Sequence, residues 1–142
     1  MGRLLAIDYG RRRCGIAVTD SLRIVATALE TLPTQQLFDF LRKYLASNEV
    51  DYIVMGKPTD MAGRPSESMR YIEPAVARLR KEFPQTPVYF YDERFTSTIA
   101  HRSMIDSGMT RTQRRNREAV DRMAATIILN DFLQSKFYQT LP

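Results

Sequence analysis

Apolar residues in the first third of the chain fall into three short blocks, each closed by polar residues or glycine. Arg3–Asp8 holds the unbroken run Leu4, Leu5, Ala6 and Ile7, the pattern of a strand covered on both faces. Cys14–Thr19 is a second strand, and the short polar turn between the two predicts an antiparallel hairpin. Ile24–Leu32 alternates loosely and predicts a third strand after a short turn at Asp20 and Ser21. Beyond Pro33 the apolar spacing becomes helical. Leu37, Phe40, Leu41, Tyr44 and Leu45 form one stripe, with Thr34 as the expected N-cap. Val50–Gly56 reads as a fourth strand and Lys57–Pro65 as a loop. Ser66–Phe83 reads as a helix with Ile72, Val76, Leu79 and Phe83 on one face, in which Pro74 either starts the regular part or makes a kink. Pro87–Arg94 is a fifth strand, and Thr96–Ser107 a helix stopped by Gly108. Met109–Glu118 is basic without apolar periodicity. Ala119–Phe132 is the last helix, with Val120, Met123, Ala124, Ile127 and Ile128 on its packing face.

This order, βββ-α-β-α-β-α-α, predicts an α/β fold on a single domain spanning residues 1–142. Hairpins keep strands 1–3 antiparallel, while helical crossovers make strands 4 and 5 parallel to strand 1, giving a five-stranded mixed sheet with helices on both faces. In such sheets, sites form beyond the carboxyl ends of the parallel strands.

Charge and composition narrow the chemistry. The net charge of +5 across 142 residues favours a polyanionic partner without identifying one. A single cysteine, Cys14, excludes an internal disulfide framework and a Cys-rich zinc site, and reads as a small buried residue. A single histidine, His101, argues against histidine-based catalysis and multi-histidine metal sites. The N-terminus has no signal-peptide pattern, and no apolar run approaches the ~20 residues needed to span a bilayer. A cytoplasmic protein without membrane contact is expected.

Acids at three places could meet. Asp8 closes strand 1, Asp92 and Glu93 close strand 5, and Asp121 lies one turn into the last helix. If strands 1 and 5 run parallel, their acids lie at one end of the sheet. Converging carboxylates repel unless a hard divalent cation neutralises them. A pair of such ions ~3.5–4 Å apart activates water and steadies the leaving oxygen of a phosphodiester, chemistry that needs no His, Cys or Ser. Strand alternation sets only one of Asp92 and Glu93 on the face of Asp8, without saying which. Taken singly, each acid has a bland explanation: a turn residue at Asp8, a helix cap at Asp92, a favourable helix-dipole position at Asp121. Arg111, Arg114, Arg115 and Arg117 precede the last helix, and Arg13 and Arg94 lie close to candidate acids. Such a run is ordinarily a solvated face, but here it adjoins the acids, where a phosphate backbone would pass.

The stretches AIDYGRRRCGIAVTD, MGKPTDMAG, YDERFTS and NREAVDRMAATIILNDFL resemble the four signature blocks of the YqgF (RuvX-like) family, in order and with similar spacing, from Leu4 to Leu133. That family is described both as pre-16S rRNA nucleases and as Holliday-junction resolvases. The resemblance implies a ribonuclease H-like fold and a nuclease using Mg²⁺ or Mn²⁺. It matches Asp8 to the first-strand acid, Asp92-Glu93-Arg94 to the Asp-Glu-Arg block and Asp121 to the acid of the final helix. It matches Gly10, Arg13 and Gly15 to the turn after the first acid, and Gly56 and Pro58 to a Gly-x-Pro loop. Where that loop often has an acid before its glycine, this chain has Ala62, with Asp60 two residues earlier. The implied catalytic and metal-binding set is Asp8, Glu93 and Asp121, with Asp92 as the alternative to Glu93. The implied role is 5′-end maturation of pre-16S rRNA, on structured RNA, by a monomer or weak dimer.

Three rivals bear on this. Branched DNA is the alternative substrate, although a symmetric resolvase calls for a dimer and no clear dimer helix is visible. A non-catalytic RNA-binding assembly factor would use only the arginines, yet gains little from carboxylates beside a polyanion. An actin-like ATPase also opens with Asp-x-Gly, but the chain has no room for a second lobe and no second Asp-x-Gly hairpin.

Overall fold

The computed structural model describes residues 2–59, 62, 64, 66–92 and 123–141. Five strands form one sheet: β1 (Arg3–Tyr9), β2 (Arg13–Thr19), β3 (Ala26–Pro33), β4 (Val50–Lys57) and β5 (Val88–Asp92). Their order across the sheet is β3-β2-β1-β4-β5. β1 pairs antiparallel with β2, and β2 with β3, while β1–β4 and β4–β5 are parallel. The expected mixed sheet is therefore present.

Side-chain alternation along β1 divides the core into two layers. Leu5 and Ile7 face helix α1 (Leu37–Ser47) and helix α2 (Met69–Glu82), packing with Leu37, Leu41, Ile72, Val76 and Leu79. Leu4 and Ala6 face helix α3 (residues 123–133), against Ala125, Ile128, Leu129 and Phe132. A short helix, α4 (Lys136–Thr140), follows. Helices thus cover both faces, which is why β1 and β4 are apolar in unbroken runs rather than alternating.

Several boundaries differ from the sequence reading. β3 begins at Ala26, and Ile24 and Val25 are exposed in the connection. The cause is Asp20, whose carboxylate accepts the backbone N–H groups of Leu22, Ile24 and Val25. The bond from Val25 foremost, then those from Ile24, its own N–H and Leu22, hold its carboxyl below the usual carboxylate range against the opposing effect of desolvation. Arg23 takes a left-handed φ of 58° within this loop. Its guanidinium donates to the Gly2 carbonyl at 3.0 Å, pairs with Asp51 and lies 5.3 Å from the Tyr52 ring. The loop is thus anchored to the start of β1 and to β4.

Thr34 does not cap α1. It opens a short 3-10 turn at Thr34–Gln36 that feeds the helix, and no side chain caps either start. Pro74 sits in the second turn of α2, which continues through it. In α3 the packing face is rotated from the expected one. Met123 is 55% exposed and Ile127 half-buried, whereas Ala125, Leu129 and Phe132 join Ala124 and Ile128 in the interior. The expected helix at Thr96–Ser107, with Gly108 and His101, lies outside the described residues.

Asp131, near the end of α3, has one carboxylate oxygen buried without a hydrogen-bond partner. Burial raises its carboxyl above the ordinary range, and a negative charge at a helix C-terminus is unfavourable as well. A raised folded-state value stabilises the fold only while the group is protonated. That contribution is complete below about pH 4, the ordinary aspartate value, and is lost as pH rises through the folded value. Asp131→Asn should therefore be more stable than the parent at pH 7, and the gap should close towards pH 4. Urea unfolding at both pH values measures this.

Candidate active site

The central row of the sheet carries the acid. Asp8 is paired with Gly15 on β2, and Gly15 with Thr31 on β3. On the other side, Ile7 is level with Met55, which sets Asp8 beside Gly56, and Gly56 is level with Tyr91 on β5. The row reads Thr31, Gly15, Asp8, Gly56, Tyr91. Asp8 has the parity of Leu4 and Ala6, so it stands on the α3 face, half-buried near the carboxyl ends of three parallel strands. Both residues directly beside it in the sheet are glycines. Neither strand neighbour places a side chain over the carboxylate, although Gly in a strand interior weakens the strand. With Arg13, Cys14, Gly15 and Thr31, Asp8 lines a cleft of about 40 Å³.

The turn that follows is fixed by backbone geometry. A Cβ on Gly10 would lie 2.4 Å from the Arg13 carbonyl oxygen. The Thr34 hydroxyl donates to the Gly10 carbonyl at 2.7 Å, and the Thr34 N–H donates to the Arg12 carbonyl at 3.0 Å. The turn is therefore Gly10–Arg12. Arg13 already begins β2 and Gly15 lies inside it, not in the turn to which sequence resemblance assigned them.

Cys14 is fully buried. Burial raises its thiol, outweighing the hydrogen bonds to Thr34 and Gly10 that act the other way, while the charge of Asp8 raises it further. It stays a neutral packing residue, as its place in an apolar run suggested. Burial, then the carboxylates of Asp131 and Asp92, also hold the Tyr91 phenol above its ordinary value, so it remains protonated at neutral pH.

Asp92 is level with Lys57, one row beyond Asp8. It has the parity of Val88 and Phe90, which pack in the α1/α2 layer, so alternation places it on the face opposite Asp8. Its carboxylate accepts a hydrogen bond from the buried hydroxyl of Thr59. Glu93, Arg94, Arg111, Arg114, Arg115, Arg117 and Asp121 lie outside the described residues. Among the described residues, no group of three His, Cys, Asp or Glu could hold a metal ion. The structure thus brings Arg13 to the Asp8 cleft, whereas Asp92 is not among the residues that line it.

Sequence reasoning missed two things. One is the glycine frame around Asp8, although glycines at Gly15 and Gly56 inside apolar strand runs were a signal for it. The other is the pair of threonine hydroxyls, Thr34 and Thr59, for which no sequence pattern speaks.

A five-stranded sheet ordered 3-2-1-4-5, with an acid on its central strand and helices on both faces, is the ribonuclease H-like architecture. Residues 2–135 match the family model described as RuvX, Holliday junction resolvase, and the chain belongs to that family. A relative from Phocaeicola vulgatus is 51% identical over 97% of this chain and 99% of its own length. One from Bacteroides thetaiotaomicron is 48% identical over 96% and 99%, and one from Flavobacterium johnsoniae 46% identical over the same shares. All three carry the name "Putative pre-16S rRNA nuclease". Among solved structures, a Fowlpox virus resolvase with Holliday junction DNA superposes at a TM-score of 0.44, with 13% identity over 95% of this chain and 85% of that one, a likeness too low to carry an argument.

The geometry of the Gly10 turn leads to a stability prediction. Gly10→Ala should cost about 1–3 kcal/mol, the range for a forced backbone shift. Denaturant unfolding measures this directly. A loss below about 0.5 kcal/mol, ordinary for a surface substitution, would show that the turn relaxes freely.

Proposed function

We propose that this chain is a metal-dependent nuclease that hydrolyses phosphodiester bonds in structured RNA, acting at the 5′ end of pre-16S rRNA. The observation that carries this reading is Asp8, set between Gly15 and Gly56 at the carboxyl end of the central strand. The name shared by its full-length relatives supports the substrate. The activity rests on one domain, residues 1–142, working as a monomer or weak dimer in the cytoplasm. No helix among the described residues is long and apolar enough to cross a membrane.

The acids assigned to the reaction are Asp8, Glu93 and Asp121. Asp92 is the alternative to Glu93, and its parity with Val88 and Phe90 supports Glu93 as the first choice. This donor set is all carboxylate, which suits Mg²⁺ or Mn²⁺ rather than a softer ion. The glycine neighbours of Asp8 support the fit, since they hold no side chain against its carboxylate. When bound, the cation would supply activation of water and stabilisation of the leaving oxygen. Asp8 holds one carboxylate fixed on a strand rather than a loop. Arg13 offsets the charge of an approaching phosphate at the same cleft. Arg94, Arg111, Arg114, Arg115 and Arg117 are assigned to backbone binding farther along the strand.

A second reading, resolution of branched DNA, is favoured by the description of the matching family model. One cleavage assay separates the two: a structured RNA bearing the 16S 5′ extension against a four-way DNA junction, with Mg²⁺, with Mn²⁺ and with chelator. Metal-dependent cleavage of the RNA is expected. Asp8→Asn should lower that rate by more than about 100-fold while leaving binding intact. Cleavage of the junction alone would give the second reading the substrate. Wild-type rates in Asp8→Asn would remove the metal site.

A further inference from the structure

The three consecutive arginines after Gly10 are sent to different places. Arg11 lies over the Tyr71 ring of α2, 5.3 Å from its centroid. Arg12 and Arg13 instead line a groove of about 570 Å³ with Thr31, Leu32 and Pro33. Arg13 and Thr31 also line the cleft of Asp8, so cleft and groove adjoin through shared walls. Among the described residues, the groove therefore runs from the acid across β2 to the edge strand β3.

That edge has two electrostatic sides. A neighbouring groove of about 490 Å³ shares Thr31, Leu32 and Pro33 but is lined by Glu30 and Asp39, with Lys43 as its cation. A polyanion following the edge meets the guanidinium groups of Arg12 and Arg13 on one side, and on the other Glu30 and an Asp39 that is ion-paired with Arg42. The base of the arginine turn is also immobilised, because Thr34 holds both the Gly10 and the Arg12 carbonyls. Arg12 itself is exposed, so its guanidinium can reach a ligand at little ordering cost to the backbone.

Resting on the nuclease reading above, we propose that the substrate strand flanking the scissile bond leaves the Asp8 cleft through this groove. Arg12 holds a phosphate there, away from the reacting one. The Thr31 hydroxyl can donate to a neighbouring phosphate oxygen, and the exposed Pro33 ring gives a sugar or base an apolar surface. Arg12 is thus a substrate-positioning residue, with no part in the chemistry at Asp8.

The test is binding, not cleavage. A fluorescent RNA hairpin with a single-stranded 5′ extension is titrated with the full chain by anisotropy, in chelator, across about 50 to 300 mM salt. Arg12→Ala should raise Kd roughly fivefold and make the slope of log K against log salt shallower by about 0.7–1, one phosphate contact. Lys43→Ala removes the same charge from the acidic side of the edge and should change neither quantity. The proposal is overturned if Arg12→Ala binds with the parent affinity and slope, or if Lys43→Ala matches it. Asp8→Asn in the cleavage assay keeps the two claims apart. Unimpaired cleavage there removes the metal site, whereas unchanged binding by Arg12→Ala removes only the path.

Discussion

Everything at the candidate site depends on the pairing register of β1. Asp8 is opposite Gly15 in the antiparallel ladder and beside Gly56 through the parallel one. A slip of one residue would turn Asp8 into the α1/α2 layer and bring Ile7 to the cleft, because strand side chains alternate with a period of two. The register is held by burial. Leu5 and Ile7 are inaccessible in one layer, Leu4 and Ala6 in the other. Each slip would therefore misplace apolar side chains on both faces at once. A strand this strongly specified can carry a half-buried carboxylate where it is useful, rather than where it is most stable.

The ends of the sheet show a division of labour. At the amino end of β1, polar groups are paired for stability. Arg23, Asp51 and the Gly2 backbone form a closed cluster, and the Thr19 hydroxyl accepts from the Leu4 N–H at 2.9 Å while donating to the Asp20 carbonyl. At the carboxyl end, the described groups are arranged for access instead. Two glycines flank the acid, the arginine turn is fixed through its backbone, and the side chain of Arg12 is exposed. A ribonuclease H-like sheet permits this because its central parallel strands end side by side, so chemistry can gather there without disturbing the core.

Much of this was legible in the chain. The unbroken run Leu4–Ile7 announced a strand covered twice, and helical spacing in Leu37–Leu45 and Ile72–Leu79 announced the layer that covers one side. The antiparallel sense of β1–β3 and the parallel sense of β4 and β5 followed from short turns and helical crossovers, while the order of the strands came only with the structure. Other features were illegible for physical reasons. Ile24 and Val25 look like strand residues, but three hydrogen bonds to one carboxylate outweigh β-propensity there. In α3, the run of small and apolar residues around Ala124 and Ala125 supports several helical faces, and only packing against β1 and β4 selects one. Sequence parity alone could not say which face Asp92 takes, and the register of β5 against β4 puts it in the parity of Phe90.

The central claim is that the Asp8 carboxylate binds the divalent cation that the reaction uses. Titrating Mn²⁺ into the full chain and into Asp8→Asn, with free Mn²⁺ followed by electron paramagnetic resonance, tests it without any substrate. The account predicts binding by the parent and a loss of affinity of about 10-fold or more in Asp8→Asn, at unchanged thermal stability in chelator. Equal Mn²⁺ affinity in the two proteins would contradict it.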